Sequence, residues 1–232
     1  TLAPDRKISD FASDIRFLTS HLRIDKFALL GWSGGGPYVI TCAAILAEHV
    51  TLAIAIGGVS LPIDTSGMSR LPKLAWKMYT KPIIGPWLIK TERNQIFKIA
   101  EDLDAFLKSK AGKKMLKMFP EADKKLWTDH NLRHFQDMVL RSSMEGYRQG
   151  SDSIKAAIQE IKLFKKGWDV DLSRISPGLV HIWHGSLDMN VPVSNAYKNA
   201  EAIPSAHLEI FEGGGHGILF NNLEKLGEIL SS

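Results

Sequence analysis

Hydrophobic residues recur with two different periods along this chain, and these periods predict where its helices and strands lie. Between residues 8 and 22 they recur every three or four positions, which predicts an amphipathic helix. The short apolar run 27–30 ends at Gly31 and is typical of a strand buried in a parallel sheet. Beyond the next glycines, the pattern predicts a helix over residues 38–49 and a second buried strand over 52–56.

The same alternation of strand and helix returns near the carboxyl end of the chain. Strands are predicted over residues 179–183 and 207–211, and helices over 193–202 and 218–230. Strands that alternate with helices favour the α/β class, in which helices flank a mostly parallel sheet.

Between these two parts the strand pattern stops and helical periodicity alone continues. The long helices predicted there cover residues 87–110, 131–149 and 152–164. This pattern predicts a helical cap inserted into an α/β core. The predicted division is a first core part over 1–60, the cap over 61–167 and a second core part over 168–232.

Composition places the chain among globular proteins and restricts its compartment. It has 232 residues, of which 44% are hydrophobic and 23% charged, enough for one substantial core. The single cysteine, Cys42, lies in an apolar helical run, which favours a buried, inert thiol over a nucleophile. No apolar run approaches the roughly 18 to 20 residues of a membrane-spanning helix. A single cysteine also allows no intrachain disulfide, which fits a reducing compartment. We expect a cytoplasmic protein without stable membrane insertion.

Positive charge is concentrated in the middle of the chain. Residues 61–170 contain 21 Lys and Arg against 13 Asp and Glu, although the net charge of the whole chain is only +4. A basic surface can steer anionic substrates or bind anionic membranes, but the solvated faces of helices give the same excess, and we favour that interpretation. Nucleic-acid binding is not predicted, because the lysines are not interleaved with stacking aromatic residues.

The first predicted strand runs directly into a glycine-rich turn, Gly31-Trp32-Ser33-Gly34-Gly35, which matches the pattern G-x-S-x-G. Between a strand and a helix, this pattern is typical of a nucleophile elbow, a turn so tight that small residues are needed two positions either side of the serine. The serine is held in a strained backbone conformation, and the N–H of Gly34 can stabilise an oxyanion. The turn therefore predicts Ser33 as a nucleophile.

Two other interpretations of the turn are weaker. A phosphate-binding G-x-G-x-x-G loop would need a small residue where the chain has Val39, and no Lys-Ser or Lys-Thr pair follows. A glycine-rich turn that only lets strand and helix pack closely remains an alternative.

A nucleophilic serine needs a histidine base and a carboxylate to orient it, and in this fold class both come later in the chain. Asp188 follows the strand at 179–183, and His216 follows the strand at 207–211 within a run of glycines. Because parallel strands bring their carboxyl ends to one edge, Ser33, Asp188 and His216 are expected at a shared rim. Taken singly, Asp188 could be an ordinary turn aspartate and His216 an ordinary loop histidine.

Three further histidines are weighed as candidates. His184 lies on the same predicted rim, where a strand-end histidine bonded to backbone is the favoured interpretation. His130 and His134 are four residues apart on a predicted helix, but no third ligand with matching spacing accompanies them. The sequence therefore predicts neither a metal nor another cofactor.

The chain resembles the cap-bearing serine α/β-hydrolases of the esterase and lipase-like group. Four features carry the resemblance: the segment 27–38, the HGxxDxxVP run at 184–192, the Gly-His-Gly at 215–217 and the helical insert. The resemblance implies an acyl-enzyme mechanism, in which Ser33 attacks a carbonyl, His216 accepts its proton and later activates water, and Asp188 supports the imidazolium. It implies a small-molecule substrate with an apolar part. Epoxide hydrolases and haloalkane dehalogenases of the same family carry aspartate at the elbow, and serine argues against both.

Family members begin with several strands before the helix at residues 8–22, and a loop after one of them supplies a second oxyanion N–H. The resemblance thus implies an N-terminally truncated chain that lacks the first strands. Three alternatives stay open: a carbon–carbon bond hydrolase, an acyltransferase, and a ligand-binding protein that kept the fold with little or no turnover. The sequence indicates no oligomeric state.

Overall fold

A computed structural model describes Ala3 and residues 5–231, which form two compact units. One unit, called the core unit below, contains residues 5–68 and 163–231. The other, called the helical unit, contains residues 69–162 together with Ala3. The interpretation of the helical part as a cap over an active site stays a prediction.

The core unit contains a four-stranded sheet flanked by helices. Its strands are β1 (Phe27–Trp32), β2 (Val50–Ile56), β3 (Val180–Gly185) and β4 (His207–Phe211). They lie in the order β1-β2-β3-β4, and every neighbouring pair is parallel. This confirms the predicted α/β class with a parallel sheet.

Helices account for most of the remaining described residues. In chain order they are α1 (Phe11–Leu22), α2 (Gly36–Ile45), α3 (Arg70–Met78), α4 (Ile84–Glu101), α5 (Leu103–Lys108), α6 (Lys110–Met118), α7 (Glu121–Thr128), α8 (Arg133–Gly146), α9 (Ser151–Phe164), α10 (Ser194–Ala202), α11 (Ile218–Asn221) and α12 (Leu223–Ser231). Across Ala3 and residues 5–231, no helix combines the length and the apolar character that crossing a membrane requires.

The two central strands are buried on both faces, which explains why β2 is apolar at five consecutive positions, 52–56, without alternation. On one face, Ala53 and Ala55 of β2 and Ile182 of β3 pack with the apolar helix α2. On the other face, Ile54 and Trp183 belong to a cluster that includes residues of α11 and α12. The sheet therefore lies between two apolar layers, and this packing fixes the positions of the strand ends.

The structure corrects several predicted helix boundaries. The helix predicted over residues 87–110 is interrupted at Asp102, whose extended backbone ends α4 and whose carboxylate accepts a hydrogen bond from the N–H of Ala105. Ser109 begins α6 in the same way by accepting from the N–H of Gly112. The helix predicted over 218–230 is likewise divided at Asn222. At Asp102 and Ser109, a short side chain that caps a new helix explains why continuous periodicity does not mean a continuous helix.

Cys42 lies on α2 with none of its surface exposed, and burial raises the pKa of its thiol to about 12. We expect a thiol reagent such as dithionitrobenzoate to leave the native protein unlabelled at mildly alkaline pH, because the thiolate is the reactive form. In concentrated guanidinium chloride, one thiol per chain should react quickly. Rapid labelling of the native protein would show that α2 opens or that the thiol is accessible.

Candidate active site

Ser33 lies at the sharp turn between β1 and α2. Its backbone has a φ of +57°, in the left-handed region that costs a residue other than glycine about 1–3 kcal/mol. Ser33 begins a short 3-10 turn over Ser33–Gly35, and its carbonyl accepts a hydrogen bond from the N–H of Gly36 as α2 starts. This strand, turn and helix have the backbone geometry of a nucleophile elbow.

The closeness of the turn excludes a side chain at one of the two flanking glycines. A Cβ at Gly31 would lie 2.4 Å from the carbonyl oxygen of Gly35 and 2.9 Å from Cγ1 of Val39. A Cβ at Gly35 would meet nothing within 4 Å, so the expectation that both positions require a small residue is wrong for Gly35. The reason is that Gly35 approaches its neighbour through its carbonyl and not through its Cα. Gly34 lies between them, and a Cβ there would come within 3.1 Å of the Phe164 ring.

Asp188 and His216 form a buried pair at the ends of β3 and β4. The distance from Asp188 Oδ2 to His216 Nδ1 is 2.7 Å, and the Asp188 side chain has no exposed surface. The other carboxylate oxygen accepts hydrogen bonds from the backbone N–H groups of Asn190 and Val191, at 2.8 and 2.9 Å. A carboxylate only accepts, so Nδ1 carries the proton in this pair. In the neutral imidazole, Nε2 is then left free of hydrogen and can act as a base.

His184 lies beside the acid, and its Nε2 is 3.4 Å from Oδ2 of Asp188. Its Nε2 lies 2.8 Å from the carbonyl oxygen of Val191, which can only accept, so the proton is on Nε2. Burial is the largest influence on its pKa and lowers it, while Val191 and the charge of Asp188 act in the opposite direction. The structure agrees with the interpretation of His184 as a strand-end histidine bonded to backbone.

Hydrogen bonds join the loops that carry the predicted residues. The indole Nε1 of Trp32 donates to the carbonyl oxygen of His216 at 2.9 Å, and the two rings lie 5.1 Å apart. The N–H of Leu187 donates to the carbonyl of Gly214 at 2.9 Å, which joins the acid loop to the histidine loop. The structure thus brings Asp188 and His216 into direct contact and connects the elbow to them through Trp32, the residue before Ser33.

Gly57, at the end of β2, is a site residue that the sequence reasoning missed. Its φ is +54°, and a Cβ there would lie 3.3 Å from Nδ1 of His216 and 3.4 Å from Oδ2 of Asp188. The pair therefore lies directly against this backbone position. The pair of glycines at 57 and 58, immediately after a predicted strand, was the available signal.

Asn195 is a second missed residue, and it joins the acid loop to the loop after β2. Its side chain is fully buried, and its Oδ1 accepts from the N–H and hydroxyl of Ser60 and from the N–H of Asp64 at 2.9–3.0 Å. Its Nδ2 donates to the carbonyls of Asp64 and Pro192, both at 2.9 Å. Nothing in the local sequence distinguishes Asn195 from a surface asparagine on an amphipathic helix.

His130 and His134 lie in the helical unit, on the 3-10 turn His130–Leu132 and on α8. Across Ala3 and residues 5–231, no set of three or more His, Cys, Asp or Glu side chains is arranged to hold a metal ion.

Asn195→Ala should lower the free energy of unfolding of the core unit by about 2–4 kcal/mol, because the backbone N–H groups of Ser60 and Asp64 lose their acceptor. Urea denaturation followed by circular dichroism measures this change. Asn221→Ala, at an exposed position on α11, is the matched control and should change stability by less than about 0.5 kcal/mol. Equal effects of the two substitutions would contradict the role assigned to Asn195.

The buried, neutral His184 should make stability depend on pH. Its pKa is lowered in the folded state, so below about 6.5 the unfolded chain binds the proton more readily and stability falls as pH falls. His184→Gln should flatten this dependence by up to about 1.4 kcal/mol per pH unit. Urea denaturation at several pH values between 5 and 7.5, about the range of histidine titration, measures the slope. His21→Gln, on the exposed side of α1, should leave the slope unchanged.

Comparisons with solved structures show the same fold at low sequence identity. A variant of the meta-cleavage product hydrolase CumD from Pseudomonas fluorescens IP01 has a TM-score of 0.58 at 19% identity, covering 97% of this chain and 71% of its own. The esterase RhEst1 from Rhodococcus sp. ECU1013 has a TM-score of 0.56 at 18% identity, covering 100% and 76%. An alpha/beta hydrolase fold protein from Nakamurella multipartita has a TM-score of 0.59 at 18% identity, covering 97% and 75%.

None of the curated proteins compared with this chain matches it in sequence. The sequence model of one protein family, described as the alpha/beta hydrolase fold, matches residues 4–223, which is nearly the whole chain. The parallel sheet and the elbow geometry described above are consistent with that match. The chain belongs to the alpha/beta hydrolase fold family.

Proposed function

We propose that this chain is a serine hydrolase that cleaves carboxylic esters or related acyl compounds, with Ser33 as nucleophile, His216 as base and Asp188 as orienting acid. The observation that carries the proposal is the 2.7 Å hydrogen bond between a fully buried Asp188 and Nδ1 of His216. It fixes the tautomer in which Nε2 can accept a proton. The positive φ of Ser33 and the Trp32 bond to His216 support placing the nucleophile in the same site.

In the first half-reaction, the hydroxyl oxygen of Ser33 attacks the carbonyl carbon of the ester, and its proton moves to Nε2 of His216. The carbonyl becomes an oxyanion, for which the N–H of Gly34 is the proposed donor. One such donor is worth about 3–4 kcal/mol in the transition state. The intermediate collapses when the bond to the alcohol breaks, and the alcohol leaves with the proton from His216.

In the second half-reaction, water attacks the acyl-enzyme and gives a proton to His216. The acid is released as the bond to Ser33 breaks, and the proton returns to the serine oxygen. Throughout, Asp188 keeps its charge and stabilises the imidazolium. Its two backbone donors, Asn190 and Val191, hold the carboxylate in position while the positive charge develops and disappears.

The expected substrate is a small molecule with an apolar acyl or alcohol part. Hydrolysis of a carbon–carbon bond is the second candidate, because the same three residues would serve and a meta-cleavage product hydrolase shares the fold at 19% identity. A panel that pairs short p-nitrophenyl esters with a vinylogous diketone separates the two by which bond is cleaved.

Ser33→Ala should abolish hydrolysis of a short p-nitrophenyl ester, and Asp188→Asn should lower kcat by about 10⁴, because the imidazole loses the correct tautomer. A fluorophosphonate probe followed by peptide mass spectrometry should label Ser33 and no other serine. Ser176→Ala, at an exposed position outside the site, is the matched control and should keep full activity.

Unchanged turnover in Ser33→Ala, or a label on another residue, would contradict the assignment. A folded protein that never reacts with the probe, and turns over no member of the panel, would favour a ligand-binding protein that kept the fold. Circular dichroism of each variant keeps loss of folding separate from loss of chemistry.

A further inference from the structure

One short segment of the helical unit, residues 70–90, exposes several large apolar side chains and is called the 70–90 corner below. It comprises α3, the turn that follows it and the first turns of α4. Three large apolar side chains there are mostly exposed: Ile83 by 84%, Leu71 by 77% and Trp87 by 63%. Leu74 and Ile84 are exposed beside them. Single exposed apolar residues are ordinary, but five in one short segment mark an interaction surface.

The same corner carries only positive charge. Its basic residues are Arg70, Lys73, Lys77, Lys81 and Lys90, and no Asp or Glu occurs from residue 65 to residue 91. The corner alone is therefore more positive than the whole chain, whose net charge is +4. Within the described part of the chain, no ion pair involves any of these five side chains. Their charge is thus available to an anionic partner.

Hydrogen bonds and ring contacts fix the backbone of α3, the turn after it and the start of α4, which carry the exposed residues. Tyr79, just after α3, donates a hydrogen bond to Glu92 of α4, and its ring contacts Trp76. Within the turn, the N–H of Lys81 donates to the carbonyl of Met78 and the N–H of Gly85 donates to the carbonyl of Lys81, both at 2.9 Å. On α3, the solvent-facing positions 70, 71, 74 and 77 recur at helical spacing, so apolar and basic side chains share one stripe.

We propose that the 70–90 corner docks the protein reversibly on an anionic membrane surface. Trp and aliphatic side chains on a basic amphipathic helix are the composition that inserts into the boundary between headgroups and acyl chains. Lysine stems can bury along apolar surface while the ammonium groups reach lipid phosphates. A protein partner fits less well, because lysine is depleted from the cores of protein interfaces. The proposal concerns docking only and does not depend on the proposed hydrolase activity.

The proposal is tested by sedimentation of the full chain with sucrose-loaded vesicles. Binding should be saturable on phosphatidylcholine vesicles that contain about one third phosphatidylglycerol, weak on pure phosphatidylcholine, and reduced by added salt because exposed charges are screened. Lys77→Ser with Lys81→Ser should weaken binding about 25-fold, at about fivefold for each charge removed. Ile83→Ser with Trp87→Ser should weaken it at least about tenfold, since the inserted apolar area is lost.

Matched controls distinguish binding through the 70–90 corner from nonspecific binding by other exposed side chains and from catalytic activity. Lys113→Ser with Lys114→Ser removes two exposed charges on α6, and Phe17→Ser with Leu18→Ser removes two exposed apolar side chains on α1. Both pairs should bind vesicles like the parent chain. Ser33→Ala should also bind normally, so failure of the proposed activity and failure of docking are distinguishable.

Equal binding to neutral and anionic vesicles, or corner variants that bind like the parent, would overturn the proposal. The proposal would also be overturned if the chain did not bind vesicles but self-associated, and if Trp87→Ser dissociated the oligomer in analytical ultracentrifugation. That last result would assign the corner to a second copy of the chain.

Discussion

A carboxylate that is taken fully out of water must find partners for its charge, and in the core unit this requirement fixes the candidate site. Asp188 has no exposed side-chain surface, and an unpaired buried carboxylate would cost several kcal/mol. Its partners are two backbone N–H groups of its own loop and the imidazole of His216. Satisfying the charge therefore folds the acid loop and orients the histidine in one step. His184, neutral and bonded to Val191, completes the support without adding a competing positive charge.

The sheet makes this arrangement possible because of its strand order. β3 and β4 are adjacent, and the pairing of Gly185 with Phe211 brings the acid and histidine loops side by side. β1 is not adjacent to either, so the elbow reaches the pair across the end of β2. There a Cβ at Gly58 would approach Cα of Gly36 at 3.1 Å, while Gly57 lies against the pair itself. Two consecutive positions without side chains thus let the elbow and the pair share a small space.

The sequence predicts those parts of the fold and site that repeat or follow a fixed order. Short apolar runs identified β1 and β2, and the return of alternating strands and helices identified β3 and β4, although His181 and Glu209 interrupt their apolar positions. The order of elbow, acid and histidine pointed to the rim where Asp188 and His216 meet. The catalytic roles of Ser33, Asp188, His216 and Gly34 themselves stay predictions.

The parts that the sequence did not predict depend on contacts between residues distant in the chain. Asn195 is more than 130 residues from Ser60 and Asp64, whose groups it binds. Helical periodicity cannot reveal such a partner, and the sequence does not show whether a given asparagine is buried or exposed. The breaks at Asp102 and Ser109 have a different cause. There, the choice between continuing a helix and capping a new one is decided by a single side chain and not by periodicity.

The sequence is also a limited guide to charge, because the net charge of a segment does not say which charged side chains form ion pairs. In the helical unit, Lys124 pairs with Glu121 and Lys155 with Asp152, one turn apart on the same helix, and Arg133 pairs with Asp104. These residues fit the interpretation of solvated helix faces. The 70–90 corner does not, since its cations have no acidic neighbours along the chain and lie among exposed Leu, Ile and Trp side chains. A solvated face needs no such apolar side chains, and exposing them costs hydrophobic free energy that a binding partner recovers. The positive excess of the middle segment therefore has two physical origins, and only side-chain exposure separates them.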